Sequence, residues 1–490
     1  MRTPIPWLVV SLGLFGSACE DDPQTVQNPP LDSALTPTAD AGPSPMEDAD
    51  LADGAVETPD ASLIDDAGVT PSRAPNIILL IADDLGLDAA ECYSVVDDVA
   101  PTPNIRALCE AGIVFENAWS MPICSPTRAA MLTGRYPHRT GVGAPAGRGE
   151  PGIEPDEVTL PRVLDAHPAL GYTHANIGKW HLSGDNNSGA DTPNRMGWGH
   201  FSGILRGGVQ DFYSWAKVVN GQEISVERYA TTSLVDDAIA WIDQQNGPFL
   251  LWMAFNAPHT PFHVPPADLH TQDLGEPGSC PEGREQTCYR AAIEAMDAEI
   301  GRLLGALSPE ERARTHIIYL GDNGPPGLTA QAPVTSDRAK NTLYQGGVHV
   351  PFVIAGPAVV EGGRRVAAVT DVTDVFATIA ELAGVPADTL VPDGTVIDSV
   401  SLVPYLENVE QGPLRPWAMT QLLASRAQQT NVGKAVRDDQ YKLIRFADGD
   451  EAFYDLRVDP YEANELLATG SLEGAAQTRY TALAAVLDSL

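Results

Sequence analysis

The segment NIILLIA at residues 76–82 decides how this chain folds. Nearly every position in it is apolar and several are β-branched, which is typical of a strand buried on both faces of a sheet. Runs of the same kind lie at residues 248–255, 316–320 and 350–355. Amphipathic helical patterns, such as the one at residues 229–245, lie between them. Strands that alternate with helices predict an α/β fold, a doubly wound sheet with helices on both of its faces.

The character of the sequence changes after about residue 395. Residues 434–446 and 451–456 predict short antiparallel strands, and a helix is expected from about residue 472. We therefore predict a main domain over residues 74–395. A smaller C-terminal α+β domain with a short antiparallel sheet should occupy residues 396–490.

Two of the buried strands run into similar polar sequences. The first is followed by DDLG, which begins with Asp83 and Asp84, and the strand at residues 316–320 is followed by GDNG, which contains Asp322 and Asn323. Ligands of open α/β sheets bind beyond the carboxyl ends of the strands. Three carboxylates and one amide predict an all-oxygen site for Ca²⁺ or Mg²⁺ rather than for zinc. One Asp pair alone is more commonly a turn or a helix cap, but the two motifs together favour a metal site.

The most specific segment is CSPTRAAMLTGR at residues 124–135. Pro126 suits the first position of a helix, so Cys124 should lie just ahead of a helix N-terminus, where anions are favoured. Arg128 follows one turn later on the same face and can reach the same anion. The alternative is a buried structural cysteine before a capped helix.

The pattern C-x-P-x-R followed by LTGR resembles the signature of the sulfatase family, in the alkaline-phosphatase-like superfamily. Asp83 and Asp84 resemble the family's first metal motif, and further motifs follow in the family's order over residues 74–465. These motifs are Thr102-Pro103-Asn104-Ile105, Gly178-Lys179-Trp180-His181-Leu182, Asn256-Ala257-Pro258-His259, Asp322-Asn323-Gly324, Lys340 ahead of Leu343-Tyr344-Gln345-Gly346-Gly347, Tyr441-Lys442-Leu443-Ile444 and Tyr454-Asp455-Leu456.

The resemblance implies an alkaline-phosphatase-like catalytic domain over residues 74–395 and a hydrolase that cleaves sulfate esters of aryl or carbohydrate substrates. It also implies that a separate formylglycine-generating enzyme oxidises Cys124 to formylglycine (3-oxoalanine). The implied metal is Ca²⁺, with Mg²⁺ left open. The implied metal ligands are Asp83, Asp84, Cys124, Asp322 and Asn323. The implied catalytic residues are Cys124, Arg128, Lys179, His181, His259 and Lys340.

The chemistry explains why this family needs an aldehyde. Its hydrate has two hydroxyls, one of which attacks sulfur with help from the metal, Arg128 and Lys179. His259 or Lys340 would donate a proton to the leaving oxygen. His181 would then deprotonate the second hydroxyl, so that the aldehyde forms again and sulfate leaves. A plain serine ester has no second hydroxyl and would turn over slowly.

Three positions depart from the family pattern, and each of them flanks the expected site. Ser183 stands where glycine is usual, Gln345 where glutamate is usual, and His349 where arginine is common. These departures bear on substrate preference more than on catalysis. The remaining histidines carry no such support and are expected to be structural: His138, His167, His174, His200, His263, His270 and His316.

The first 19 residues predict an export signal. Arg2 provides a positive start, an apolar run follows, and small residues precede Cys19. This ending resembles a bacterial lipoprotein cleavage site, although Gly16 stands where leucine is usual. We expect Cys19 to carry a lipid anchor in the cell envelope, at the periplasmic side or the cell surface. The alternative is plain secretion.

Residues 20–73 form an acidic, proline-rich segment that should be a disordered linker. They contain thirteen acids, one base, eight prolines and no aromatic residue, too few apolar groups to offset the entropy of ordering. The whole chain has a formal net charge of -36. That charge argues against nucleic acid or an anionic membrane surface as partners, so the lipid anchor would be the one link to a membrane. An anionic substrate would need a concentrated cationic site.

Four cysteines remain once Cys19 and Cys124 are set aside. An even set in an exported protein makes disulfides plausible. Cys280 and Cys288 flank a short loop and are the favoured pair. A bond between Cys92 and Cys109 has weaker support, because buried thiols are common.

Two other functions remain open. A phosphodiesterase or phosphonate monoester hydrolase of the same superfamily would share the nucleophile and metal motifs and differ in its substrate contacts. A catalytically silent surface protein that binds sulfated polymers is the alternative from another class. No motif position has lost its functional group, which argues against the silent protein.

Overall fold

The computed structural model describes residues 74–426, 428 and 430–490. The predicted signal, Cys19 and the predicted linker lie outside the described residues. None of the helices in the described part has the length and apolarity needed to cross a bilayer.

Sixteen strands are found among the described residues. They are β1 (Asn76–Ala82), β2 (Ile113–Trp119), β3 (Thr173–Lys179), β4 (His200–Ile204), β5 (Trp215–Val219), β6 (Gln222–Val226), β7 (Phe249–Ala254), β8 (His263–Val264), β9 (Gly278–Ser279), β10 (Thr315–Gly321), β11 (Phe352–Ala355), β12 (Arg364–Asp371), β13 (Ala418–Leu422), β14 (Gly433–Arg437), β15 (Tyr441–Phe446) and β16 (Glu451–Asp455).

Twelve α-helices connect or cover these strands in the same part of the chain. They are α1 (Pro103–Ala111), α2 (Cys124–Thr133), α3 (Pro137–Thr140), α4 (Leu160–Asp165), α5 (Thr192–Arg195), α6 (Ala230–Ile242), α7 (Glu285–Ala306), α8 (Pro309–Ala313), α9 (Gln345–Val348), α10 (Asp374–Ala383), α11 (Val403–Glu407) and α12 (Gly474–Ser489).

The main sheet has ten strands in the order β12-β2-β11-β10-β1-β7-β3-β4-β5-β6. Its centre, from β10 to β4, is parallel. The β11 strand and the β5–β6 hairpin join antiparallel to their neighbours. The strand at residues 76–82 lies at the middle and is buried at every position, as its apolar run predicted. The α/β fold is confirmed.

Helices cover both faces of this sheet, as predicted. One core contains Ile77 and Ile81 with side chains from α2, α4 and α10. The other contains Ile78 and Leu80 with side chains from α1, α6 and α7. Successive residues of β1 therefore enter opposite cores, which is why its sequence is apolar at both alternating sets of positions.

A separate antiparallel sheet, β13-β14-β15-β16, lies in the C-terminal part. It confirms the short strands predicted at residues 434–446 and 451–456, and α12 confirms the terminal helix. Leu483 and Leu487 of α12 pack on this sheet in one apolar cluster with Val436, Leu443 and Phe453. The boundary near residue 395 stays a prediction.

Two disulfides stabilise loops of the folded part. Cys280 is bonded to Cys288, as favoured from the sequence. Cys92 is also bonded to Cys109, a pair that sequence reasoning supported only weakly. The bond links the loop after β1 to helix α1. The spacing of the two cysteines in the sequence was not enough to infer it.

Candidate active site

The carboxyl ends of the central parallel strands carry the polar groups of the candidate site. Asp83 and Asp84 follow β1 directly, and Asp322 and Asn323 follow β10, its neighbour in the sheet. Lys179 is the last residue of β3. Because parallel strands end at the same edge, these side chains meet although the sequence separates them widely.

Cys124 faces the carboxylates from the first position of α2. Its Sγ lies 3.4 Å from Oδ1 of Asp83 and 3.8 Å from Oδ1 of Asp84. The sequence placed Cys124 just ahead of the helix and Pro126 at its first position, so the helix starts two residues earlier than predicted. Helix ends commonly vary by this much. The side chain still lies at the N-terminal end, where the helix dipole favours negative charge.

Arg128 and Lys179 supply the positive charge on one side of the site. The Nζ of Lys179 donates to both oxygens of Asp83, at 2.7 and 3.0 Å. Arg128 donates to Asp322 at 2.7 Å and to the carbonyl oxygen of Lys179 at 2.9 Å. It also lies 3.6 Å from Asp83. Arg128 therefore reaches the carboxylates near Cys124, and its predicted contact with a bound anion stays a prediction.

Lys340 and Asn323 surround Asp84 on the other side. Lys340 Nζ lies 2.6 Å from Oδ1 and 2.8 Å from Oδ2 of Asp84. Asn323 donates its amide N–H to Oδ1 of Asp84 at 2.7 Å. The backbone N–H of Asp84 donates to Asp322 Oδ1 at 3.0 Å. The side chains of Asp83, Asp84, Asp322 and Asn323 are each at most 1% exposed.

The two predicted histidines make different contacts. The His259 Nε2 is 3.7 Å from Oδ2 of Asp84, while its Nδ1 is 2.7 Å from the carbonyl oxygen of Thr260. His181 has a left-handed backbone, with φ of 55°. Its carbonyl oxygen accepts from Ser125 Oγ at 2.8 Å, which joins this residue to the start of α2.

Burial and charge set the protonation of these groups. Burial raises the pKa of Asp83 well above its usual range, with Cys124 and Asp322 adding to the rise and Lys179 opposing it. Burial acts on Asp84 too, but Lys340 and His259 lower its pKa overall. Burial, then the charges of Lys179 and Arg128, lower the pKa of His181 well below its usual range, so its imidazole is neutral.

The pKa of His259 is also lowered, chiefly by burial, with Lys340 adding to the effect and Asp84 opposing it. A neutral imidazole carries one proton, and the short contact to the Thr260 carbonyl places that proton on Nδ1. The Nε2 atom that faces Asp84 then has no proton to give.

The candidate donor atoms lie close enough together to share one cation. One ligand atom from each of Asp83, Asp84, Cys124 and His259 lies within 4.8 Å of the others. The Oδ1 of Asn323 is buried without a hydrogen-bond partner, which leaves that oxygen available as a ligand. His259 was predicted as a catalytic residue and not as a ligand. Asp322 was predicted as a ligand, and one of its oxygens accepts a hydrogen bond from Arg128.

Sequence reasoning missed two groups that support the site. The hydroxyl of Tyr289, on α7, donates to the carbonyl oxygen of Asp84 at 2.7 Å. The hydroxyl of Ser125 accepts from the backbone of Ala146 at 2.9 Å and donates to His181. Ser125 lies inside the quoted motif, but no local pattern marks Tyr289.

A comparison with protein families decides the assignment. The sulfatase family model matches residues 75–385, more than half of the chain. The chain belongs to the sulfatase family. A second model, the N-sulphoglucosamine sulphohydrolase C-terminal region, matches residues 338–485, which agrees with the motifs expected there. This sulfatase is therefore a sulfuric ester hydrolase.

Curated relatives agree with the family assignment. The sulfatase is 30% identical to human arylsulfatase A over 435 residues, which cover 80% of this chain and 79% of the relative. It is 28% identical to the mouse steryl-sulfatase over 439 residues, which cover 70% of this chain and 67% of the relative.

Solved structures share the fold. The crystal structure of Ps i-CgsB has a TM-score of 0.70 and 24% identity, and the match covers 85% of this chain and 92% of that one. The protein BT4656, solved with its substrate D-glucosamine-2-N,6-O-disulfate, has a TM-score of 0.68 and 22% identity, with coverage of 85% and 97%.

Proposed function

We propose that this sulfatase hydrolyses sulfate esters with a formylglycine made from Cys124, beside a Ca²⁺ ion. The observation that carries the proposal is the position of the Cys124 Sγ, 3.4 Å from Asp83 and 3.8 Å from Asp84 at a helix N-terminus. A formylglycine at this position would supply a hydrated aldehyde, with one hydroxyl for attack and a second to release sulfate. A separate formylglycine-generating enzyme would make it.

The residues that would hold the cation are Asp83, Asp84, Asp322 and Asn323, with the modified residue 124. All are oxygen donors, which suits Ca²⁺ and leaves Mg²⁺ as the alternative. The ion would polarise the nucleophile and the sulfuryl oxygens as a Lewis acid. Its positive charge would also balance three buried carboxylates, which is a reason for these acids to lie together.

Arg128 and Lys179 would bind the sulfuryl oxygens. Both are buried cations, at 1% and 0% exposure, so their charges are little screened by water. Preorganised donors of this kind stabilise negative charge that develops in a transition state. An acidic protein repels an anionic substrate unless positive groups are concentrated where the substrate binds, and Arg128 and Lys179 would provide that positive charge.

Lys340 is the better placed proton donor for the leaving oxygen. It is an ammonium next to Asp84, whereas neutral His259 keeps its proton on Nδ1, against Thr260. His181 would act as the base, since its low pKa leaves the imidazole neutral and its Nδ1 has no hydrogen-bond partner in the described structure.

We propose sulfated carbohydrates as the natural substrate class, with aryl sulfates as assay substrates. The support comes from relatives. One is named N-acetylgalactosamine-6-sulfatase, at 28% identity, and two structures with the same fold contain a disulfated glucosamine and a neocarrahexaose. A panel of defined sulfated oligosaccharides would identify the sugar and the position of the sulfate.

Mass spectrometry of the peptide around residue 124 tests the nucleophile. Formylglycine lowers the mass, because H₂S is lost and a carbonyl oxygen is gained, while an unmodified thiol would favour the silent binding protein. Hydrolysis of aryl sulfate is then compared with hydrolysis of aryl phosphate. Dominant phosphatase activity would favour the phosphodiesterase alternative. The Cys124→Ala variant controls for background activity.

We also propose that the enzyme is exported and anchored in the cell envelope through a lipid on Cys19. The support is the apolar run and the small residues ahead of this cysteine. Labelling with a radioactive fatty acid should mark the wild type and not the Cys19→Ala variant. Equal labelling of both would end the lipoprotein proposal.

A further inference from the structure

A buried ion pair joins the C-terminal sheet to the catalytic part of the chain. Lys442 of β15 lies 2.5 Å from Glu462, and their side chains are 0% and 1% exposed. The ammonium also lies 4.8 Å from the ring centre of Trp119, at the end of β2. Burial lowers the pKa of Lys442 to about 8 against the opposing charge of Glu462. The cost of desolvating such a pair can exceed the attraction between its charges, so its presence is weak evidence of a stabilising role.

The second carboxylate oxygen of Glu462 fixes the start of α9. It accepts from the backbone N–H of Gln345 at 2.6 Å. The side chain of Gln345 in turn accepts from Trp119 Nε1 at 2.8 Å. Arg338 donates to the carbonyl oxygen of Glu462 and stacks over Tyr344, 4.6 Å from its ring centre. Gln345, the first residue of α9, is therefore held twice: Glu462 binds its backbone N–H, and Trp119 binds its side chain.

Helix α9 is packed directly against the backbone of the metal motif. The N–H of Gly324 donates to the carbonyl oxygen of Gly347 at 2.9 Å. A Cβ on Gly324 would lie only 1.8 Å from the carbonyl oxygen of Gly346, so there is no space between the two segments. The segment before α9 is also fixed, because Asn341 N–H donates to the carbonyl oxygen of Pro122 at 2.9 Å.

We propose that Glu462, with its charge balanced by Lys442, is a positioning residue that holds α9 and so places Asn323 and Lys340 for catalysis. The inference rests on the proposed metal site. The path has three steps: a hydrogen bond from Gln345 to Glu462, a hydrogen bond from Gly324 to Gly347 of α9, and the peptide bond between Gly324 and Asn323. Lys340 lies five residues before α9 on the same fixed segment. In the described part of the chain, Glu462 and Lys442 make no hydrogen bond or ion pair with the candidate metal ligands or catalytic residues.

Both the charge of the carboxylate and its reach matter in this arrangement. Glu462→Gln keeps an oxygen for the Gln345 N–H but leaves the Lys442 ammonium buried without a counter-charge. The double change Glu462→Leu with Lys442→Met removes both charges and also removes the oxygen that accepts from Gln345. Glu462→Asp keeps the charge and withdraws the carboxylate from Gln345 by one methylene. Glu451→Gln is the matched control, because Glu451 pairs with Arg445 on the same sheet and makes no hydrogen bond or ion pair with α9 in the described structure.

Calcium binding by titration calorimetry on the chelated protein, with kcat and KM for an aryl sulfate, tests the inference in the full chain. We expect Glu462→Asp and the double variant to fold, to bind Ca²⁺ about tenfold or more weakly, and to lose about tenfold or more in kcat with KM within about twofold, as for residues that support metal ligands. The control should match wild type in all three. Should the double variant fail to fold, Glu462→Asp decides alone.

Folded variants with wild-type calcium affinity and kcat would overturn the positioning role and leave the proposed function intact. A wild-type protein that binds no Ca²⁺ but hydrolyses the ester would remove the proposed metal, and then an unchanged kcat in the folded variants would overturn the inference. Equal losses in the Glu451→Gln control would show a general loss of stability in the C-terminal sheet, which also contradicts it.

Discussion

The guanidinium of Arg128 donates to the carboxylate of Asp322 at 2.7 Å across 194 residues of sequence, and both side chains are at most 1% exposed. The same guanidinium donates to the carbonyl oxygen of Lys179 at 2.9 Å. One side chain therefore connects the ends of two strands and the start of α2. Its planar fork suits this double role, which a lysine cannot fill.

Arg128→Lys should lower kcat for aryl sulfate by about 10²–10³-fold, the usual cost of removing one preorganised transition-state donor. Arg128→Ala should also lower the free energy of unfolding by about 3 kcal/mol, because Asp322 loses its buried partner. Steady-state kinetics and urea unfolding measure the two effects. Arg195→Lys, at an exposed pair with Asp191, should behave as wild type. A wild-type kcat for Arg128→Lys would exclude the donor role.

Removal of the cation should inactivate the enzyme reversibly. Treatment with a calcium chelator leaves three buried carboxylates without their ion, so both activity and thermal stability should fall. Added Ca²⁺ at about 100 times its dissociation constant should restore about 2.7 kcal/mol of stability. Asp322→Asn should shift the calcium titration to higher concentration. If the chelated enzyme keeps its activity and melting temperature, the residues do not hold an essential ion.

His263 should make folding sensitive to acid. Its ring stacks on Phe212 at 3.6 Å and contacts the Tyr229 hydroxyl at 3.0 Å, and burial lowers its pKa to about 4. Since the unfolded pKa is about 6.5, the folded state favours the neutral ring. The contribution of His263 to the free energy of unfolding is complete above pH 6.5. It is lost as the pH falls toward 4, at up to about 1.4 kcal/mol per pH unit.

The variant His263→Gln tests that dependence. It does not titrate, so its free energy of unfolding should fall less steeply than that of wild type between pH 6.5 and pH 4. Urea unfolding at several pH values gives both curves. Parallel curves for the two proteins would assign the acid sensitivity to other groups.

Gly324→Ala should damage both folding and catalysis. The added methyl would lie 1.8 Å from the Gly346 carbonyl oxygen, and overpacking of this kind costs about 1–3 kcal/mol. Gly305→Ala, in the exposed part of α7 where a Cβ meets nothing within 4 Å, should instead stabilise by about 0.5–1 kcal/mol. Thermal unfolding of both variants checks the contrast. Two equal losses would show that space at Gly324 is not the cause.

The sequence was sufficient to predict the centre of the sheet and that the polar groups after β1 and β10 lie together at its edge. The apolar run at residues 76–82 and the motifs after β1 and β10 carry a local signal, because a strand buried on both faces must be apolar throughout. Cys124 and Arg128 lie one turn apart on a helix, so their shared direction also follows from local geometry. These features need no knowledge of distant partners.

The sequence did not predict the features that depend on distant pairing. The order of the edge strands, such as antiparallel β11 between β10 and β2, leaves no local pattern. Glu462 gave no signal because its partners, Lys442 and Gln345, are set by how the C-terminal sheet packs. The tautomer of His259 likewise follows from a carbonyl oxygen that only the folded backbone brings near.

All ten residues of helix α2 are buried, and Cys124 has no exposed surface. No second protein can reach that sulfur once the domain has formed. If a second protein oxidises Cys124, as proposed, it has to act before folding, while residues 124–135 are still an accessible peptide. A cell that makes this chain without the oxidising enzyme would accumulate a well-formed but inert protein, and supplying that enzyme afterwards would not activate the molecules already folded.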